Sequence, residues 1–412
     1  MKVLQVNKYL YPVGGPETLM FQTAALLESH GHSVSYFGMA EGAVVPEQWR
    51  PYLAPGIDYD RVGRAPGWPA KARAAINLIY SRRAARGIAR LIADTPPDVV
   101  HFRNIYHQLS PSVLRPVRRR GIPSVLSVHD YKLVCPNYRL YTHDGVCRRC
   151  VPGRYHEAVV HKCVKDSRVK SLLNAVEMYI HHSVLDIYGR NVDALITENR
   201  FMRGLLVEAG FDERKIHVVP NFVDIAAYQP SYDLSDYILF FGRLVPEKGV
   251  VTLIDALQGL PLTLVIVGDG PQRQLLEAKV SAQRMSNVTF LGSKWGAELA
   301  AVVRGARFTV VPSEWLENSP MALYQSAAWG KPIIGARVGG IPDLIEDGTT
   351  GLLFDAGQVG QLRDAVLRLS APGAAEEMGR AARHKAEQEF SPGVYYDRLM
   401  QVYDAARRFR SA

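Results

Sequence analysis

The chain has 412 residues, 47% of them hydrophobic, with a formal net charge of +9 and an isoelectric point near 9.3. This length predicts two domains, and the charge favours an acidic partner such as a nucleotide, a phospholipid or a polyanion. The sequence has neither an apolar run of about 18 residues, which a membrane-spanning helix needs, nor the long apolar core of a signal peptide, so we expect a cytoplasmic protein.

The first half, residues 1–219, alternates short apolar runs with helical patterns. Strands are predicted at Lys2–Val6, Ser33–Phe37, Asp98–Phe102, Ser124–Val128, Asp193–Thr197 and Lys215–Val219. Helices are predicted between them at residues 16–30, 71–93, 110–120, 171–189 and 200–209. Such alternation is typical of a parallel sheet with helices on both faces, which predicts a Rossmann-like domain.

The second half repeats this architecture without repeating the sequence. A polar stretch at residues 220–236 predicts a linker, and residues 237–390 form the second domain. Its strands are predicted at residues 237–241, 262–267, 287–291, 307–311 and 332–336. The last segment, 391–412, is predicted to be a helix with apolar contacts at Val394, Tyr395, Leu399, Val402 and Tyr403. The fold class is therefore α/β, and ligands are expected at the carboxyl ends of the strands.

Two strand ends of the first half carry candidate ligand groups. Gly14 and Gly15 follow the first strand and precede a helix, where glycine admits a ligand close to the backbone and the helix N-terminus favours an anion. A plain tight turn is the alternative, and the spacing does not match a dinucleotide fingerprint. His129 ends the strand Ser124–Val128, and it either bonds a substrate hydroxyl or phosphate or has a structural role.

A basic segment runs from Arg61 to Arg90, with no acidic residue between Asp60 and Asp94. Its helical part, residues 71–93, has an apolar component, and a basic amphipathic helix favours binding to an anionic membrane surface. A solvated helix face is the main alternative. Nucleic-acid binding is not expected, because basic and aromatic residues are not interleaved there.

All four cysteines fall within a segment poor in apolar residues, predicted as an insertion at 131–170. They are Cys135, Cys147, Cys150 and Cys163. A Cys-x-x-Cys pair with two flanking cysteines suits a tetrahedral structural zinc site. Free thiols and a disulfide are the alternatives, and an intracellular setting disfavours the disulfide.

In the second half, basic and glycine residues follow the first two strands. Arg243 and Lys248 can converge on a diphosphate through charge-assisted hydrogen bonds. Gly268 begins another strand-end turn that faces the same edge of the sheet.

The most informative stretch surrounds Glu317, which lies in a polar loop between a buried strand and a helix. Pro320 suits the first turn of that helix, because this position needs no N–H donor. A carboxylate that can bind sugar hydroxyls lies beside amides that can bind phosphate, and this combination favours a sugar nucleotide as ligand.

Together these motifs resemble glycosyltransferase family 4, of the GT-B fold, over nearly the whole chain. The most specific segments are Phe241–Gly249, Pro312–Gln325, Gly339–Ile345 and Asp347–Leu353. The amino-terminal half, with the cysteine segment, is similar to exopolysaccharide-type members. The resemblance implies two Rossmann-like domains facing across a cleft, with the acceptor on the first domain, the donor on the second, and a final helix that crosses back to the first.

By position, the resemblance implies that Arg243 and Lys248 hold the diphosphate, that Glu317 bonds the donor sugar and that His129 contacts it from the other domain. Gly14 and Gly15 would lie near phosphate or acceptor. The resemblance also implies that the backbone of Asn318, Ser319, Pro320, Met321 and Ala322 offers amides to the donor sugar and phosphate. Transfer would retain the anomeric configuration without a metal or other cofactor.

One departure from the family pattern affects the donor site. Gln325 stands where the family has a second glutamate, which normally bonds the ribose. An amide oxygen still accepts hydrogen bonds, and the lost charge should cost about 1–2 kcal/mol.

The expected function is thus a retaining hexosyltransferase that uses a UDP- or GDP-sugar and a glycan or polyprenyl-linked acceptor in cell-surface or exopolysaccharide synthesis, at the inner face of the cytoplasmic membrane. A catalytically degenerate sugar-nucleotide-binding scaffold is the alternative. An epimerase or phosphorylase of the same fold fits the motifs less well.

Overall fold

The computed structural model describes residues 1–56, 68–142, 145–232 and 235–411, with residues 68–73 described by their backbone alone. The strands, in chain order, are β1 (Lys2–Val6), β2 (Ser33–Phe37), β3 (Val99–Phe102), β4 (Ser124–Val128), β5 (Tyr141–Thr142), β6 (Gly145–Val146), β7 (Ala194–Thr197), β8 (Ile216–Val218), β9 (Tyr237–Phe241), β10 (Thr263–Val267), β11 (Val288–Gly292), β12 (Phe308–Val311), β13 (Ile333–Ala336) and β14 (Gly351–Phe354).

The strands form two parallel six-stranded sheets. The first has the order β2-β1-β3-β4-β7-β8 and the second the order β11-β10-β9-β12-β13-β14, while β5 and β6 form a separate antiparallel hairpin. Buried apolar clusters lie on both faces of each sheet, because helices cover both faces. The predicted α/β class with two Rossmann-like halves is confirmed.

The helices pack between and over the strands. In chain order they are α1 (Gly15–Ser29), α2 (Trp68–Ile79), α3 (Arg82–Asp94), α4 (Leu114–Arg119), α5 (Glu157–Val160), α6 (Arg168–Met178), α7 (Ile187–Asn191), α8 (Arg200–Glu208), α9 (Val250–Leu257), α10 (Arg273–Ala282), α11 (Gly296–Gly305), α12 (Met321–Ala328), α13 (Ile341–Leu344), α14 (Val359–Leu369), α15 (Ala374–Glu389) and α16 (Pro392–Ser411). No helix of the described ranges has the length and apolar character to cross a membrane.

The eleven strands named from the sequence are all present, with ends shifted by at most one residue. Two predicted helices are interrupted. The predicted helix 71–93 divides into α2 and α3 at Ser81, whose hydroxyl accepts a hydrogen bond from the Ala84 amide and caps α3. The predicted helix 171–189 ends at Met178, continues as a π-helical turn over Tyr179–Val184 and resumes as α7.

The predicted membrane helix needs a correction. Its second part, α3, exposes four arginines and buries its apolar face in the core of the first domain, so that face is not available to a lipid surface. The exposed residues are Arg82, Arg83, Arg86 and Arg90, and the buried ones are Ala84, Ala85, Ile88, Leu91 and Ile92. Arg61 and Arg64 lie outside the described residues.

The final helix α16 lies against the first sheet, although it follows the second. Its Tyr403 is fully buried, and the phenol is 2.9 Å from Nδ1 of His101 on β3. Near its end, Arg410 donates to Asp193 at 2.5 Å. At its start, the Tyr395 ring packs on Phe222 with the ring centroids 4.5 Å apart. The carboxyl terminus is therefore part of the first domain's core.

Candidate functional site

Glu317 lies in the loop after β12 and is only 4% exposed. Its Oε1 accepts hydrogen bonds from the Lys248 ammonium at 2.5 Å and from the Ser313 hydroxyl at 2.6 Å. A buried carboxylate requires such partners, because it has lost its hydration. Among the described residues, no hydrogen bond reaches Oε2, which leaves that oxygen to accept from a ligand hydroxyl.

Lys248 reaches Glu317 because two loops approach each other very closely. It ends a short 3₁₀ turn after β9, and Gly249 follows in a left-handed conformation with φ of 66°. A Cβ atom on Gly249 would lie 1.9 Å from the carbonyl oxygen of Pro312, so only glycine permits the contact. The sequence motif that ends in Lys248 and Gly249 is thus explained by backbone packing.

Two glycines in the turn after β13 also contact the Glu317 loop. The Gly340 amide donates to the Glu317 carbonyl at 2.7 Å. Gly339 has φ of 55°, and a Cβ atom there would lie 2.2 Å from the same oxygen. The turn after β13 therefore fixes the main chain of the loop that carries the carboxylate.

Helix α12 begins directly after this loop. Pro320 is its N-cap residue, and no side chain caps the helix. The amides of Met321 and Ala322 belong to its first turn and point out of the N-terminus, which suits an anionic oxygen. Ser319 has a structural role instead, since its hydroxyl lies 2.7 Å from the Tyr324 phenol and accepts from Asn221 at 3.1 Å. Gln325 is partly exposed on α12, one turn beyond Met321.

Arg243 and Gly268 lie on neighbouring strand ends of the second sheet. Gly268 has φ of 140°, and a Cβ atom there would lie 1.8 Å from the carbonyl oxygen of Gly242. The Arg243 side chain is exposed, and no described residue pairs with it. The structure thus joins Lys248 to Glu317, while Arg243 lies exposed at the same edge of the sheet.

His129, at the end of β4, is held between two charged side chains. Its Nε2 lies 3.2 Å from an Arg103 nitrogen, and its Nδ1 lies 2.6 Å from Oε1 of Glu198. A guanidinium can only donate, so Nε2 accepts and the ring proton is on Nδ1, which donates to Glu198. Arg103 and Glu198 thereby fix the tautomer and orientation of the ring. Neither residue was identified from the sequence.

Asn318 connects the two domains at this point. Its side-chain amide donates to Oε2 of Glu198 and to the carbonyl oxygen of His129, both at 3.0 Å. Asn199 in turn donates to the side-chain oxygen of Asn318 at 2.7 Å. Glu198, His129 and the Glu317 loop therefore form one hydrogen-bonded unit across the cleft. The side chain of Asn318 is committed to the protein, and only its backbone amide remains for a ligand.

Other contacts also close the cleft. The Tyr131 phenol donates to the carbonyl of Leu316 at 3.0 Å, and Arg139 forms an ion pair with Glu247. The side chain of Asp130, next to His129, is half-buried and accepts from the Tyr106 phenol. Burial raises the pKa of Asp130 to about 6.

Gly14 and Gly15 are exposed at the N-terminus of α1. A Cβ atom on Gly15 would meet no atom within 4 Å, and one on Gly14 would lie 3.7 Å from the Glu17 carboxylate. Packing against the described residues therefore does not require glycine at either position.

The four cysteines are close enough for their charges to interact. Burial, and then the neighbouring thiols of Cys135 and Cys147, together raise the pKa of the Cys163 thiol to about 11. The same effects raise the pKa of Cys150. As they stand, however, the described residues include no group of three or more His, Cys, Asp or Glu side chains placed to hold a metal ion. A structural zinc site therefore stays a prediction.

Two family models match consecutive parts of the chain. One, described as Glycosyltransferase Family 4, matches residues 13–227, which is just over half of the chain. The chain belongs to this family. The other, described as Glycosyl transferases group 1, matches residues 225–385 and thus includes Lys248, Glu317 and Gln325.

Several proteins of other organisms align with the chain. The D-inositol 3-phosphate glycosyltransferase of Mycobacterium bovis is 32% identical over 96% of this chain and 81% of its own length. The glycogen synthase of Mycobacterium tuberculosis is 32% identical, but over 55% of this chain and 58% of its own length. An uncharacterized glycosyltransferase of Methanocaldococcus jannaschii is 33% identical over 43% of this chain, and the match spans half of that protein.

Solved structures share the fold over the whole chain. The sucrose-phosphate synthase of Thermosynechococcus elongatus has a TM-score of 0.70 with 19% identity, and both chains are fully covered. The Anabaena protein HepE, solved in complex with UDP and glucose, has a TM-score of 0.66 with 17% identity, covering 98% of this chain and all of its own. At this level of identity the likeness shows the fold alone, which is GT-B.

Proposed function

We propose that the protein is a retaining hexosyltransferase that transfers a sugar from a nucleoside diphosphate sugar, UDP- or GDP-linked, to a glycan or polyprenyl-linked glycan. The observation that carries this proposal is the pairing of Lys248 with the buried Glu317 beside the uncapped start of α12. A cation, a hydrogen-bond acceptor and free amides meet at one point, and a sugar diphosphate needs all three. The complex of HepE with UDP and glucose favours a uridine nucleotide.

In the proposed reaction the protein acts mainly by electrostatics and positioning. Lys248, the exposed Arg243 and the first amides of α12 would stabilise the negative charge on the leaving diphosphate. The free oxygen of Glu317 would hold a hydroxyl of the donor sugar. Movement of Lys248 from Glu317 towards the diphosphate would in addition remove one of the two hydrogen bonds to Oε1 of Glu317.

The acceptor hydroxyl would attack the anomeric carbon on the face from which the diphosphate leaves. The bond from carbon to the diphosphate oxygen breaks as the new glycosidic bond forms, and the hydroxyl proton passes to the leaving diphosphate. This route uses no enzyme nucleophile and gives retention. His129, held by Arg103 and Glu198, would contact the donor sugar from the first domain. No metal or other cofactor is proposed for this step.

A two-stage assay tests the proposal. Thermal stabilisation is first measured with UDP-, GDP- and ADP-sugars, because a ligand that binds only the folded state raises the melting temperature. The stabilising sugar is then incubated with polyprenyl-linked and soluble glycan acceptors, and the anomeric configuration of the product is determined by NMR. Inversion, or lack of any stabilising nucleotide sugar, would contradict the proposal.

Gln325 supports a second candidate, a sugar-nucleotide-binding scaffold without turnover. Saturable binding of the nucleotide sugar by calorimetry, with neither transfer nor donor hydrolysis, would favour this alternative.

We also propose that the enzyme acts at the inner face of the cytoplasmic membrane in cell-surface or exopolysaccharide synthesis. The net charge of +9 suits an anionic surface. A polyprenyl-linked acceptor would be reached there.

A further inference from the structure

Helix α6 exposes apolar side chains to solvent along one face. Val169, Leu172, Leu173 and Val176 are 70%, 52%, 43% and 40% exposed. At 3.6 residues per turn they lie within an arc of about 100°. A surface helix of a globular protein normally turns such a stripe towards the core, so α6 has the opposite arrangement.

The buried face of α6 shows why the helix cannot rotate to hide this stripe. Glu177 is 1% exposed and accepts from the Lys132 ammonium at 2.8 Å. Asn174 is buried beside it, and its side-chain oxygen lies 3.4 Å from the same ammonium. Turning Glu177 outwards would leave the buried Lys132 without its charge partner, which is strongly unfavourable. Buried polar contacts thus hold the apolar stripe in solvent.

Basic residues flank the stripe on both sides. Arg168 and Lys170 are exposed, and their positions along the helix place them about 100° to either side of Val169. On the adjacent helix α2, which contacts α6, Ile76 is 66% exposed. Apolar residues bordered by cations with long alkyl stems are typical of a helix that lies in the plane of a membrane interface, with its charges at the lipid phosphates.

We propose that Val169, Leu172, Leu173 and Val176 form a docking ridge that inserts into the headgroup region of an anionic membrane. Lys132, which anchors α6, follows His129 by three residues. The ridge therefore lies on the first domain and is tied directly to the segment that enters the cleft. Docking through α6 would hold the acceptor side of the cleft close to the lipid surface. Only this last consequence rests on the proposed transfer to a lipid-linked acceptor.

Helix α3 has a different role in this arrangement. Its apolar face is buried, so its four exposed arginines offer charge without insertion. We expect α3 to contribute to long-range attraction and α6 to supply the membrane-inserted contact.

Vesicle flotation of the full-length protein tests the proposal. The protein is mixed with vesicles of phosphatidylcholine containing phosphatidylglycerol, and separately with pure phosphatidylcholine. The test variant is L172S/L173S, and the matched control is V207S/L367S, which removes two apolar side chains of 37% and 47% exposure on α8 and α14. These side chains are exposed, so neither variant opens a cavity in the core.

We expect the parent and the control to float with the anionic vesicles, and the ridge variant to lose at least about tenfold in bound fraction. The charge variant R168Q/K170Q should bind more weakly than the parent and with less sensitivity to salt, because it has lost two of the cations that salt screens. Absence of parent binding, or equal binding by parent and ridge variant, overturns the proposal. So does a parent dimer in light scattering that the ridge variant dissociates, because the ridge would then bind a second copy.

The same variants separate this proposal from the proposed enzymatic function. The ridge variant should keep the thermal stabilisation by nucleotide sugar and the transfer to a water-soluble acceptor. Loss of vesicle binding with intact soluble transfer supports the docking ridge. If neither the parent nor any variant transfers sugar, but the parent and the control bind vesicles equally well, the enzymatic proposal alone is contradicted.

Discussion

At the scale of single residues, the Glu317 carboxylate is expected to be the most sensitive group of the site. Glu317→Gln keeps the shape but removes the charge that pairs with Lys248. We expect kcat/KM to fall about 10²-fold or more, as for the loss of one electrostatic contact in a preorganised site. Steady-state transfer assays measure this effect. Glu314→Gln, in the same loop, should stay within a few-fold of the parent, and equal losses in both variants would mean that only the loop conformation matters.

Gln325 offers a gain-of-affinity experiment. If the ribose lies beside this side chain, Gln325→Glu restores a charged acceptor and should tighten nucleotide binding by about tenfold, since a hydrogen bond to a charged group is stronger by roughly 1 kcal/mol or more. Calorimetry with UDP compares the parent and the variant. An unchanged or weaker affinity would place the ribose elsewhere.

The sequence identified Glu317, Lys248 and the strand end at His129, because each lies in a short segment with a local signature. It did not identify Glu198, Arg103 or Asn199. Each of these follows a strand and joins the candidate site only through a contact with a residue distant in sequence, as between Glu198 and Asn318 at 3.0 Å. Local periodicity contains no information on such pairs.

At the scale of elements, the cysteine segment gives a prediction about the zinc content of the purified protein. If the four thiols bind structural zinc, the purified protein should contain about one equivalent of zinc by elemental analysis, and Cys150→Ser should lose most of it. Removal of the zinc by a chelator should lower the melting temperature, without a direct effect on the transfer reaction. One equivalent of zinc retained in the Cys150→Ser variant would contradict this assignment, as would a metal-free parent with four titratable thiols.

Helix α6 gives a prediction of acid stability. Burial alone would raise the pKa of Glu177, but Lys132 and then His107 outweigh it and hold that pKa at about 2, below the ordinary value of 4.5. The carboxylate therefore stabilises the fold above pH 4.5, and this contribution is lost as the pH falls towards 2. Glu177→Gln should lower stability at pH 7 by about 3–5 kcal/mol.

Urea unfolding at pH 7 and pH 3 measures the effect. The parent should lose more stability than Glu177→Gln between these two pH values, because only the parent has this carboxylate to protonate. Glu157→Gln, on the neighbouring helix α5, serves as the control. Equal acid sensitivity in the parent and Glu177→Gln would contradict the assigned role.

At the scale of the whole molecule, the final helix packs in the first domain, although it follows the second domain in sequence. Tyr403→Ala should therefore destabilise the first domain, by about 3–5 kcal/mol as for other large aromatic truncations in cores. Hydrogen exchange should show the largest loss of protection in β3, β4 and β7. Phe409→Ala, at a residue 36% exposed, should have a small effect. Loss of protection confined to the second sheet would contradict the packing.

The architecture was largely predictable because strand–helix alternation is strong in both halves. The sequence did not reveal β14, the hairpin of β5 and β6, or the division of the helix at Ser81. These features are only two to four residues long or depend on a single cap. The outward apolar face of α6 also could not be predicted, since the helix periodicity is normal and only the buried Lys132–Glu177 pair decides which face turns inwards.

The chain passes between the domains twice, and the two passages lie side by side. The Val223 amide in the first passage donates to the Phe390 carbonyl in the second at 3.0 Å. Two adjacent tethers on one side of the molecule act as a pivot, because they prevent the domains from separating there while allowing rotation. Opening should therefore be a rotation about Val223 and Phe390, with the largest displacement at the contacts across the cleft that lie farthest from these two residues. Fluorophores attached on either side of the cleft would report this rotation as a change in distance, while a pair placed across the two tethers would stay at constant separation.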